Sequence, residues 1–410
     1  MTALRKLGSK GYRLARSYSR PSHLVAIARQ ACGRRGRLRS DGDHLAATIA
    51  WLCRSQDVVG GSGSSSGYFF ETGWGPPYPE TTGYIIPTFL RYGDLCGDDA
   101  YVDRAVSLGD WEIDIQLASG AVRGGQGIND YPIVFNTGQV ILGWCSLYRV
   151  TQEKRFLDAA TDAANWLLAV QDADGKWRKH TFMDMPHAYH TRVAWSLLET
   201  HRLTADERFR GAAERNIAWT LSCARSNGWI ERMGFTLEEP PLTHTIAYTL
   251  RGLLESSALL ANNTGADAES LVMRAADKTL RHYELNKRTP EAVPGYLAAS
   301  FKQDWQPAHT SSCLVGNAQI AILWLKIYER TKDARFLNGA LKMLDHVKWT
   351  QDLSSHNPGI RGGIAGSYPI WGPYLRLAYP NWAAKFFADA LMMQESLMKT
   401  LETGTSGDRA

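Results

Sequence analysis

Residues 124–160 read GGQGINDYPIVFNTGQVILGWCSLYRVTQEKRFLDAA: a glycine-rich loop, an apolar helix, a short polar turn and a second helix. The helical part, TGQVILGWCSLYRVTQEKRFLDAA, aligns with TGYIIPTFLRYGDLCGDDAYVDRA before it and TRVAWSLLETHRLTADERFRGAA after it. All three carry apolar residues at helical spacing. Looser copies follow in TIAYTLRGLLESSALLANNTGADAESLVMRAA, VGNAQIAILWLKIYERTKDARFLNGA and the unpaired NWAAKFFADALMM, for which DHLAATIAWLCRSQD near the start supplies a partner. The repeats begin near Thr81, Asn136, Tyr189, His244, Val315 and Asn381, 53 to 71 residues apart, which predicts twelve helices in six hairpins.

Each hairpin joins a nearly all-apolar helix to an amphipathic one such as KRFLDAATDAANWLLAVQ. A helix that is apolar all round is buried and one with a polar face borders solvent, so the first set should form an inner ring and the second an outer ring. An open α-solenoid stacks such units too, but a pair formed by the first and last helices favours closure. The expected fold is an all-α (α/α)6 toroid over residues 41–398, preceded by a basic arm at 1–40 and followed by a flexible tail at 399–410.

Composition agrees with a globular chain that buries a large core: 44% of residues are hydrophobic and 21% charged. The net charge of +5 hides an asymmetry, because residues 1–40 hold 11 Lys or Arg and no acid, which leaves 35 bases against 41 acids elsewhere. RKLGSKGYRLARSYSR and GRRGRLRS read either as a solvated lead-in or as an arm for an anionic membrane surface or polysaccharide-assembly proteins. Without a stacking platform or DNA-binding motif, no nucleic-acid partner is expected. The segment lacks the apolar core of a secretory signal, and no run approaches the ~20 residues of a membrane span. The expected location is cytoplasmic, at most peripheral to the inner membrane. The six cysteines are scattered, without a C-x-x-C pair, and read as buried thiols.

The connections differ by direction. Inner-to-outer turns are short and polar (TQEK, TADE, TKDA), whereas the returning loops are long, glycine-rich and aromatic, so the long loops share one rim. These loops carry Trp74, Trp177, Trp229, Trp305 and Trp371. Flat apolar rings beside polar groups suit sugars, or else they pack the loops down. The long loops also enter the inner helices at their N-termini, where helix dipoles favour anionic groups by about 0.3–1 kcal/mol per exposed end. The expected partner is an acidic polysaccharide or oligosaccharide.

At two places the residues resemble a family. Asn129–Pro132, NDYP, resembles the acidic-Tyr-Pro entry of the D-glucuronyl C5-epimerase C-terminal domain, and AYHT at 188–191, with Leu197 and Leu198, resembles its Tyr-His-Thr segment. The chain departs from that family where Arg192 and Val193 stand in the region of its second histidine, and in showing no N-terminal β-rich domain. More broadly it resembles the toroidal polysaccharide lyases, epimerases and glycoside hydrolases, which implies a carbohydrate-active enzyme working at the ring mouth.

Proton abstraction from C5 of a uronate requires the sugar carboxylate to be neutralised while a base and an acid reach the carbon. Arg192, His244 and Asn136 are the candidates for neutralisation. Tyr131, Tyr189 and His190 are those for base and acid, with Asp130 or His187 orienting them. A tyrosine serves as base only if its pKa falls well below about 10, which a nearby arginine could bring about. Hydrolysis instead needs two carboxyl groups, for which the loops offer Glu80 and Asp130, with Glu71, Asp184, Glu238, Glu239 and Asp304 as further acids. Tyr248, Asn317 and His187 join the five tryptophans as candidate sugar contacts. Each residue also has a structural reading: the tyrosines as packing, Glu80 and the threonines as caps, Arg192 as an ion-pair partner of Glu199 or Asp184. A non-catalytic glycan-binding component of a polysaccharide-making complex is the third class. The CHG zinc signature, the D-x-D-D acid and the G-x-x-x-x-G-K-[ST] phosphate loop are all missing, so no metal or cofactor is expected. GSGSSSG at 61–67 reads as a flexible lid or linker.

Overall fold

The structure, a computed structural model, describes residues 18, 20–33, 36, 38–61, 63–285 and 295–407. Most of the basic run RKLGSKGYRLARSYSR and residues 34, 35 and 37 of GRRGRLRS lie outside the described residues, as do Ser62 and residues 408–410.

The described helices are α1 (Pro21–Ala31), α2 (Asp41–Asp57), α3 (Pro79–Cys96), α4 (Ala100–Asp114), α5 (Val134–Thr151), α6 (Lys154–Ala169), α7 (Thr191–Thr204), α8 (Glu207–Ser222), α9 (Thr243–Leu260), α10 (Asn263–Leu285), α11 (Leu314–Thr331), α12 (Ala334–Thr350) and α13 (Asn381–Gly407). Helices α3, α5, α7, α9, α11 and α13 form the inner ring, each packed on the next, and α13 closes the circle against α3. Helices α2, α4, α6, α8, α10 and α12 form the outer ring, α2 pairing with α13 across the termini. The chain is therefore an (α/α)6 toroid. Helix α13 continues to Gly407, into the stretch read as the tail.

The sequence repeat includes a repeated turn. Inner helices α3, α5, α7, α9 and α11 each end on a left-handed residue, respectively Gly97, Gln152, Ala205, Ala261 and Lys332. In TQEK, TADE and TKDA the threonine hydroxyl then accepts the N–H two residues on, at 3.2 Å for Thr151, 3.3 Å for Thr204 and 3.2 Å for Thr331. Asp206 and Asp333 cap the outer helices that follow, each accepting a backbone N–H at 2.9 Å.

Glycine lets the inner helices approach one another. A Cβ on Gly83 would lie 2.6 Å from Val140 Cα, and one on Gly143 would meet the Gly83 carbonyl. The serine run read as a flexible lid is instead part of the closure. Ser64, Ser65 and Ser66 are buried; Ser64 Oγ lies 2.7 Å from Ser55 Oγ, and Asn381 Nδ2 donates to Ser65 O and Thr81 Oγ1, both at 2.8 Å. Serine suits this seam because its hydroxyl satisfies polar groups where two ends of the chain meet.

Short strands staple the long loops. β1 (Gly67–Phe69) pairs with β2 (Gly73–Trp74), and β3 (Ser312–Cys313) pairs with β4 (Ser367–Tyr368). β5 (Ala378–Pro380) adds to the other edge of β1. Helix α1, inside the basic stretch, seats His23 on this sheet, stacked 3.9 Å from Phe70. Among the described residues no helix is long and apolar enough to cross a membrane. Cys145 and Cys313 are buried, as expected of thiols in a core, but Cys32 and Cys96 are exposed.

Candidate active site

Where the long loops meet the inner helices, aromatic rings surround one carboxyl group. Glu80 is the second residue of α3; Tyr84, one turn on, donates its hydroxyl to Glu80 Oε1 at 3.2 Å, and Tyr78, just before the helix, donates to Oε2. Tyr248 of α9 lies 3.4 Å from Tyr84, oxygen to oxygen. Phe135 of α5 packs at 5.3 Å from the Tyr248 ring and edge-on to Tyr189 at 5.2 Å. His244 lies 4.6 Å from Tyr374, whose hydroxyl accepts from Trp382 Nε1 at 2.9 Å. Tyr78, Glu80 and Tyr374 remain partly accessible. The result is an aromatic basin with a carboxyl group in its wall.

Burial sets the protonation states. It raises Glu80 from 4.5 to about 7, against the opposing pull of the Tyr78 and Tyr84 hydrogen bonds and of Arg192. Tyr189 is pushed well above 10, first by burial and then by the Glu80 charge. A tyrosinate base would need the opposite shift: among the described residues no arginine lowers Tyr189, and its phenol stays neutral. His190 is driven well below 6.5, by burial and then His187, and among the described residues neither ring nitrogen has a hydrogen-bond partner. His244 falls to about 3 through burial, so it offers a neutral ring and no cation to a sugar carboxylate.

The other candidates scatter. Tyr131 is half exposed, lying against Gly124. Asp130 is fully open at the rim and pairs with Arg123, on a loop tied to the approach to α3 by the Gly127 N–H donating to Pro77 O at 2.7 Å. Asn136 holds the Arg123 carbonyl at 2.9 Å. His187 bonds the carbonyls of Phe182 and Gly234 at 2.8 and 3.0 Å. Asn317 ties Ser312, Cys313 and Leu297 together within 3.0 Å. All three of these buried polar side chains pin loops. Arg192 pairs with neither Glu199 nor Asp184: its Nε donates to Gln139 at 2.7 Å, and it lines a cavity reaching the opposite rim.

The tryptophans divide. Trp177 is wholly buried, its N–H donating to Leu167 O at 3.0 Å. Trp74 packs on Trp51 at 5.1 Å. Trp305 meets Trp229 edge-on at 5.2 Å, beside a rim cleft of about 560 Å³ that Trp229 lines with Glu231, Glu238, Glu239 and Asp304. Trp371 is exposed. The basin residues that sequence reading missed are Tyr78, Tyr84, Phe135, Tyr374, Trp382 and Phe386. Their signal was aromatic residues one turn apart at inner-helix starts, as in Trp382 and Phe386. Among the described residues no group of three or more His, Cys, Asp and Glu could hold a metal.

Residues 129–293 match the family model of the GH127 catalytic domain of beta-L-arabinofuranosidases, a span that includes α5, α7 and α9. The unsaturated glucuronyl hydrolase of Bacillus sp. GL1 is similar in structure, with TM-score 0.66 and 16% identity over 86% of this chain and 96% of that one. So are the cellobiose 2-epimerase of Bacillus thermoamylovorans, with TM-score 0.65 and 14% identity over 85% and 97%, and a polysaccharide lyase, with TM-score 0.62 and 12% identity over 88% and 99%. No curated protein sequence matches the chain significantly. The fold is that of the toroidal carbohydrate-active enzymes, a group that holds hydrolases, epimerases and lyases alike.

Proposed function

We propose that the chain is a glycan-processing enzyme whose active site is the aromatic basin, and that Glu80 donates the proton in cleavage of a glycosidic bond. The observation that carries this reading is the Glu80 carboxyl group, held by Tyr78 and Tyr84 and raised to about 7. A general acid works best with its pKa near the operating pH, and in glycosidases the acid is the carboxyl group whose surroundings keep it protonated. Asp130, on the adjoining loop, is the second carboxylate of the proposed pair. The similarity of residues 129–293 to a glycosidase catalytic domain supports the same reaction class. The inner-helix N-termini around the basin support a substrate bearing an acidic sugar.

Abstraction of a C5 proton is the second reading, favoured by the same pKa, because ionised Glu80 is a base matched to neutral pH. Glu80 then takes the role of base for which Tyr131, Tyr189 and His190 were the candidates. A panel of uronate-containing and neutral oligosaccharides, assayed for new reducing ends with the parent chain and with Glu80→Gln, tests the assignment. Cleavage of at least one glycan that Glu80→Gln abolishes is expected. Cleavage that survives the substitution removes Glu80 from the mechanism, and tight glycan binding with no reaction makes the chain a binding component.

A further inference from the structure

Beyond Tyr84 and Phe386, towards the C-terminal ends of the inner helices, the ring encloses a cavity of about 760 Å³ that opens at the short-turn rim beside Gly93 and Gly97. Its charged lining is built from carboxylates that each take two cations. Asp389 lies between Arg91 at 2.7 Å and Lys385 at 2.5 Å. Glu255 takes Arg251 and, at 2.9 Å, Lys326. Glu199 takes Arg149, with Arg202 at 3.3 Å. Arg192 adds a cation that is 3% exposed and has no carboxylate among the described residues; its guanidinium lies 5.2 to 5.8 Å from the rings of Tyr248, Trp195 and Phe386.

Asp94 and Asp99 stand exposed at the lip of this cavity. Arg91 and Arg149 are exposed at the lip too, whereas Arg192, Arg251, Lys326 and Lys385 lie further in with Asp389, Glu255 and Glu199, which leaves one interior cation, Arg192, in excess. Ion pairs that served packing alone would balance in number, because a buried charge without a partner costs several kcal/mol, roughly. Lys385 registers that cost: burial, with Arg91 and Arg192 adding to it, pulls its ammonium down to about 7 despite Asp389. Arginines already anchored by one carboxylate keep N–H groups free for a bidentate bond to a second acid group.

We propose that this cavity is a second binding site, distinct from the basin, for a small molecule carrying two or more acid groups. Its volume falls within the roughly 300–1,000 Å³ usual for small-ligand sites, and Trp195 and Phe386 supply an apolar wall for the body of the ligand. The proposal is independent of the role given to Glu80.

Calorimetric titration of the full chain at low ionic strength, with citrate, pyrophosphate and trigalacturonate as separate probes, tests it. At least one probe should bind with Kd below about 1 mM. Lys326→Gln should weaken that binding about tenfold or more, as expected for a lost hydrogen bond between charged groups. Lys326→Arg should restore it, added salt should weaken it, and Glu80→Gln should leave it unchanged. Which probe binds tells a carboxylate ligand from a phosphate one. If Lys326→Gln does not fold, Arg149→Gln, at the accessible side of the cavity, gives the same readout. Failure of all three probes to bind overturns the proposal. So does binding insensitive to both substitutions, or binding lost in Glu80→Gln.

Discussion

Glu80 concentrates the chemistry of the basin in one ionisation. Its folded pKa, about 7, stands above the unfolded 4.5, so between those values the folded chain keeps a proton that the unfolded chain has released. Stability therefore falls as pH rises through that window. Glu80→Gln removes the penalty and should melt above the parent at pH 8, with the gap closing towards pH 4, as read by calorimetry at both pH values. The same substitution should lower glycan cleavage by about 10²–10⁴-fold, and cleavage by the parent should decline as pH rises past about 7. Glu80 was legible in the sequence as an acid at an inner-helix start. Its environment was legible only in part: Tyr78 and Tyr84 lie within four residues of it, whereas Tyr248 and Tyr374 join them only when the ring closes. The tryptophans teach the converse. Trp177 sits in a long loop as a sugar platform would, yet its N–H is needed by a carbonyl at the end of α6. Trp177→Ala should cost about 3–5 kcal/mol in chemical denaturation, whereas Trp371→Ala, at an exposed site, should leave the midpoint unchanged.

Among elements, the turns and crossings carry the specificity. The inner helices start at Pro79, Val134, Thr191, Thr243, Leu314 and Asn381, within two residues of the positions expected from the repeat. That agreement has a physical source, since the apolar run marks each inner helix and is followed by the threonine turn in three hairpins and by an aspartate cap in two of them. The crossings were harder to read, because a helix glycine looks like a weak point until a neighbouring backbone is seen against it. Gly143→Ala forces a methyl group onto the Gly83 carbonyl and should destabilise by about 1–3 kcal/mol; a shift in the urea midpoint at unchanged slope reports it. The serine seam misled for a related reason. Ser64–Ser66 has the composition of a linker, but hydroxyls and Asn381 meet there in a buried network. Asn381→Leu leaves the Ser65 carbonyl without its side-chain donor and should cost about 1–3 kcal/mol in the same assay.

At the scale of the whole molecule, six hairpins build a ring with two unlike ends. Long loops and helix N-termini make the aromatic end, and short turns and helix C-termini surround the charged cavity. The sequence expectation placed Arg192 at the first end. Arg192 shows why it failed: a residue in the first turn of an inner helix can reach along the axis and past the aromatic layer. The account turns on what happens to a glycan in the basin. Proton NMR of a cleavable uronate-containing oligosaccharide, incubated in D2O with the parent chain and with Glu80→Gln, tests it most directly. The account predicts new reducing ends from the parent alone, with no deuterium at C5 and no new double bond. Deuterium at C5, an unsaturated uronate, or equal cleavage by Glu80→Gln would contradict it.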